Sequence, residues 1–153
     1  MRKLMFLPLF SLVLMAGWCD DSDIERIAKS LNQATHAVGV VQDTTIATHD
    51  TLGEEVFPKK DADAIVNICK EVQMAILLAN NLTRDFSELP VGGRNQLLEI
   101  LIPVMDTLEV AVSTEKLALI KDDKLRAAVA LGFRTALGVM QTAQLILERT
   151  DAN

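Results

Sequence analysis

From Ile24 onward, apolar and small residues recur at alternating steps of three and four. Ile24, Ile27, Leu31, Ala34, Val38, Val41, Thr45, Thr48 and Leu52 form the first such stripe. Side chains three and four residues apart share one face of an α-helix, so the spacing predicts a helix with one buried side. Ser22 or Asp23 stands where a helix needs a cap, and Gly53 where one ends. "EEVFPKKDAD" then interrupts the pattern. Pro58 cannot continue a helix, and Asp61 or Asp63 can cap the next one. A second stripe follows through Ile65, Ile68, Val72, Ala75, Ala79, Leu82 and Phe86, and ends at "ELPVGGR". The third runs Leu97, Leu101, Val104, Leu108, Ala111, with Pro103 inside it and expected to bend it. "STEKLALIKDDK" reads as a connector with a short apolar patch. The fourth stripe is Leu125, Val129, Gly132, Ala136, Val139, Ala143 and Ile146.

The predicted helices therefore span 23–52, 62–87, 94–115 and 124–149. A repeat averaging 3.5 residues keeps one stripe against a partner helix at a shallow left-handed crossing. Similar lengths and short connections favour antiparallel neighbours. The expected fold is all-α: an up-down-up-down four-helix bundle in one domain, residues 20–153, behind an N-terminal signal sequence, residues 1–19. Gly132 and Gly138 are expected on the fourth seam, where small residues let backbones approach. On that view Gly132→Leu overpacks the contact, while Gly132→Ala stabilises the helix by ~1 kcal/mol.

The signal sequence is read from a different pattern. Arg2 and Lys3 form a basic head, Leu4 to Ala16 carry no charge, and small residues follow before "DDSD". These are the parts of an export signal, and the apolar run falls short of the ~20 residues of a bilayer span. "MAGWC" resembles the lipobox of bacterial lipoproteins, with Trp18 where that motif has a small residue; the resemblance covers the leader alone and implies Cys19 as a possible lipidation site. Cleavage after Ala16 or after Cys19 without lipid competes with it.

Charge and composition narrow the function classes. Removing residues 1–19 takes away two cations and no acid, so the formal charge falls from −6 to −8. An acidic chain repels phosphate backbones, which argues against nucleic acid as a partner, and gains nothing from an anionic lipid surface. Contact with a membrane is expected only through the leader or a lipid anchor. Beyond the leader the aromatic residues are Phe57, Phe86 and Phe133. Stacking platforms for sugars or bases are poorly supplied. Cys69, with Cys19 the only other cysteine, reads as a small buried hydrophobe on an apolar helix face.

No motif calls for a cofactor, and no nucleophile–base arrangement can be built. His36 and His49 are 13 positions apart and fall on different helix faces. Met74, Met105 and Met140 read as core filler rather than haem ligands. No metal site is expected; the least poor candidates are His49, Glu54, Asp61 and Asp63, where the first helix meets the second, and a solvated acidic loop with helix caps explains them better. A more distinctive feature is apolar excess. Ile102, Val110, Leu131, Leu137 and Leu145 fall off the seams, and Arg134 is the sole charge between Ala127 and Leu147. Wide stripes of this kind arise where a helix touches two neighbours, and exposed ones mark contact surfaces. A span through the fourth helix would place Arg134 in lipid at ~2.5–3.5 kcal/mol.

These readings converge on an exported, non-enzymatic binding or scaffolding protein of a bacterial envelope, or of a phage, with a protein partner or a second copy of itself. A small membrane-active protein of lysis or immunity type, using the third and fourth helices, is the alternative, and a metal-binding bundle is third. The leader makes the first prediction. Mass spectrometry of the mature protein should find an N-terminus between Ala16 and Asp20. An intact Met1 on a cytoplasmic product would remove export from the reading.

Overall fold

A computed structural model describes residues 22–84, 90–113, 117–118 and 120–149. The leader with Cys19 and the stretch 85–89 with Phe86 lie outside the described residues. Four helices make up the fold, with no strand among the described residues: α1 Asp23–Leu52, α2 Lys59–Arg84, α3 Val91–Ala111 and α4 Asp123–Arg149.

Their ends are set by local chemistry. Ser22 and Glu25 form a reciprocal capping box: the Glu25 N–H donates to Ser22 Oγ at 3.3 Å and the Ser22 N–H to Glu25 Oε2 at 3.1 Å. Gly53 ends α1 at φ 74°, a conformation that favours glycine. α2 begins three residues before its expected start. The Pro58 carbonyl accepts from the N–H groups of Asp61 and Ala62, and Glu54 Oε2 accepts the Lys59 N–H at 3.1 Å. Asp61 and Asp63 therefore lie inside the first turns and cap nothing. α3 also begins early. The Pro90 carbonyl accepts from Gly93 and Arg94, which makes Gly92 and Gly93 the first turn of the helix rather than part of the interruption. Glycine is penalised chiefly in helix interiors, and Pro90 supplies the extended entry. Pro103 does not stop α3; it is exposed, beside an exposed Glu99 whose carbonyl it deprives of a donor. Asp122 Oδ1 accepts from the Leu125 N–H at 2.7 Å and caps α4.

Each helix packs against two others: α1 against α2 and α4, and α3 against α2 and α4. Asn80 near the end of α2 donates to Asn32 near the start of α1 at 3.3 Å, while His49 and Phe57 meet at the opposite end of the pair. α1 and α2 are thus antiparallel. The pattern agrees with an up-down bundle. The core runs down the middle through Leu31, Val38, Ile76, Leu101, Leu108, Phe133 and Met140, and Phe57 seals one end.

The third stripe coincides with this core, and so does the first from Ile27 to Thr45; Leu52, at the end of α1, is exposed. The second and fourth coincide with it at Ile65, Val72, Ala79, Leu125, Val129, Ala136 and Ala143, and shift by one residue at the positions between. Cys69, Ile76 and Thr83 are buried where Ile68, Ala75 and Leu82 were expected, and Phe133, Met140 and Leu147 where Gly132, Val139 and Ile146 were. An apolar stripe wider than one column leaves its centre open; the bundle axis takes one column and the neighbouring helix meets the other.

Gly132 shows what that second column does. A Cβ there would overlap Val41 Cγ2 and lie 3.3 Å from the Ala37 carbonyl oxygen. Val41 is buried and β-branched, hence stiff in a helix. Gly132→Ala therefore destabilises, against the helix-propensity expectation. Gly138 is exposed with open space about it, so it is no part of the α1–α4 seam. Thermal or urea unfolding should show Gly132→Ala costing about 1–3 kcal/mol, and the Gly132→Ala/Val41→Ala pair costing less than its two parts together. A raised melting midpoint for Gly132→Ala would mean that α1 and α4 do not approach here.

Candidate functional site

The corner between α1 and α2 holds the expected metal candidates but does not gather them. The Phe57 carbonyl can only accept, so His49 Nδ1 carries the proton and donates to it at 2.8 Å. His49 Nε2 lies 3.9 Å from Glu54 Oε2. The imidazole meets the Phe57 ring edge-on, centroids 6.3 Å apart. Asp63 is held by Lys59 at 2.7 Å, and Glu54 accepts from the Lys59 backbone. Asp61 lines a cleft on another side of α2. Among the described residues no three His, Cys, Asp or Glu side chains form a group fit to hold a metal ion. The corner works as a clasp, tying the end of α1 to the loop that starts α2.

The cleft is the larger feature. α3 stops at Ala111, short of its expected end. Leu117 and Ile120 of the connector to α4 are buried. Between them, the start of α2 and the end of α3 remains a hollow of about 510 Å³. Ile65 and Ile68 form one wall and Val110 and Ala111 the other, with buried Val129 and Phe133 of α4 also lining it. Among the described residues Asp61 and Asp106 supply its only charges, and no Lys or Arg lines it. Leu117 also lines a shallower hollow against α4, which carries Asp123, Arg126 and Arg134. There Arg126 pairs with Asp123 and donates to the Ile120 carbonyl at 2.9 Å.

The expected contact residues divide between places. Leu131 and Leu145 are exposed on the outward side of α4, Leu131 by 70 %. Gly138 sits midway between them. Leu137 is half-buried against the core, because it faces the neighbouring helix rather than solvent. Ile102 is exposed, but Val110, eight residues on and ~80° round the helix, lines the cleft. The five residues therefore do not make one surface. A second exposed patch on α2 comprises Met74, Leu77 and Leu78; Met105 and Met140 fill the core as expected, but Met74 does not, being 68 % exposed. The patch's signal in the sequence was the run "MAILLA", since six consecutive apolar residues pass right round a helix and cannot all face one core.

No helix among the described residues is long and apolar enough to cross a membrane. The fold and its surfaces define a four-helix, all-α protein with an apolar cleft and apolar outward patches. The chain matches no protein-family model, no curated protein sequence and no solved structure.

Cys69 is fully buried, and burial pushes its thiol up to about 12, against the smaller opposing effect of a backbone hydrogen bond. From a starting value of 9.0 the thiolate fraction near neutral pH drops roughly a thousandfold, and the thiolate is the reactive form. Labelling by an aromatic disulfide reagent, followed by peptide mapping, should modify Cys69 at least a thousandfold more slowly in the native protein than in guanidinium. Rapid native labelling would show that α2 is not packed through Cys69.

Proposed function

We propose that this chain is an exported up-down four-helix binding protein of the bacterial envelope, or of a phage, that acts by docking rather than by catalysis, and that its first partner is a second copy of itself. Export rests on the basic head, the apolar run and the small-residue end of the leader.

The observation that carries the docking is the outward stripe of α4. Leu131 and Leu145 each stand seven residues from Gly138, which is exposed and has open space where a Cβ would be. Nothing within the subunit requires glycine there, and glycine in a helix interior costs ~1 kcal/mol relative to alanine. A two-fold axis through Gly138 sets Leu131 of one copy against Leu145 of the other and lets the two helices approach at their glycines. Two-fold contacts are self-complementary in this way. Charge favours the same face. In a chain of net charge −6, Arg134 alone is charged from Ala127 to Leu147, so two copies repel least here.

Light scattering on wild type and on Leu131→Glu/Leu145→Glu tests it. The wild type should be a dimer and the variant a monomer of unchanged helicity, since both leucines are exposed. A Met74→Glu/Leu77→Glu variant should remain dimeric. A monomeric wild type overturns self-association, and dissociation by the α2 pair alone would move the interface off α4.

A further inference from the structure

We infer that the cleft between α2 and α3 binds a small amphiphile with an apolar tail and a cationic head. The site is independent of the α4 face and is lined by different residues. Its volume, about 510 Å³, suits a small molecule and is confined to one end of the bundle, where an amphipathic helix would need a groove several turns long.

The walls specify the tail and the rim specifies the head. Ile65, Ile68, Val110 and Phe133 present apolar surface, and an apolar chain entering them leaves water. The Thr107 hydroxyl is already donated to the Pro103 carbonyl at 2.9 Å, so it does not compel a polar ligand. Asp61 comes from α2 and Asp106 from α3, one from each wall. Neither side chain takes a hydrogen bond or ion pair from a described residue, and the cleft lining holds no Lys or Arg among them. Two carboxylates with no counter-charge among the described residues, beside an apolar hollow, favour a cation and disfavour an anion of the same tail.

Three single-tail amphiphiles that differ only in the head separate this from plain greasiness: decyltrimethylammonium, decyl maltoside and decyl sulfate, each titrated below its micelle concentration by calorimetry. The expected result is saturable one-to-one binding of the ammonium at least tenfold tighter than of the sulfate, with the maltoside between. Asp61→Asn/Asp106→Asn should reduce that preference to less than threefold while leaving the maltoside affinity unchanged. Val110→Trp and Ala64→Trp, both at exposed positions on opposite walls, should each fill the cleft and weaken all three ligands at least tenfold, with helicity retained. Equal affinity for the three heads, no saturable binding of the ammonium, or cleft-filling variants that bind as well as wild type would each overturn the inference. Loss of the dimer by Leu131→Glu/Leu145→Glu should leave the titration as it is, which keeps the two sites distinguishable.

Discussion

The close approach of α1 and α4 at Gly132 closes the bundle. α1–α2, α2–α3 and α3–α4 are neighbours along the chain and meet because the connections are short. α1 and α4 are joined by nothing but their packing, and at Gly132 that packing leaves no room for a single carbon. α1 also has its most extensive contact with α4, then with α2, while α3 makes lesser contact with both of its neighbours. The molecule is therefore asymmetric. One side is tight and built on small residues; the other is carried by α3, at 21 residues the shortest of the four helices. The cleft lies on that looser side. α3 ends before it can cover the starts of α2 and α4, and Leu117 and Ile120 plug only part of what it leaves open.

This asymmetry explains what could be read from the residues alone. Steps of three and four survive any rearrangement of helices, because they follow from the geometry of one helix and its need to bury one face. So four helices were legible, as were the α1 and α3 core positions, the Ser22 cap and the Gly53 stop. The choice between adjacent columns was not. Phe133 and Gly132 sit side by side on one wide stripe, and only the position of α1 decides that the glycine takes the flank and the phenylalanine the centre. The starts of α2 and α3 were obscured for a related reason. Proline and glycine were read as breakers, yet Pro58 and Pro90 open helices by offering carbonyls to the first free N–H groups. The cleft was invisible because Asp61 and Asp106 are 45 positions apart and come to line one hollow only when the start of α2 packs beside the end of α3.

The reactive side chains have structural employment. The His49 imidazole is oriented by a backbone carbonyl and stacked edge-on against Phe57, an arrangement that fixes a loop and spends its Nδ1 proton on it. Cys69 is held as a neutral thiol in the core. Thr45 and Thr83, both buried, donate to carbonyls of their own helix, at Val41 and Asn80, and so add no polarity that a partner could read. Ser30, also buried, differs: its hydroxyl has no hydrogen-bond partner among the described residues.

Gly132 and Gly138 carry this contrast on one helix. They are six residues apart, so they point about 120° from each other. The first faces α1 and is spared a side chain because Val41 fills the space. The second faces outward and has the same freedom with nothing in it. Helices come close where side chains are small, whether the neighbour belongs to the same chain or to another. α4 thus bears on its outer side the same device that holds its inner side, flanked there by two exposed leucines. On the proposed two-fold contact, the open space at Gly138 is where the second helix crosses, between the exposed Leu131 and Leu145.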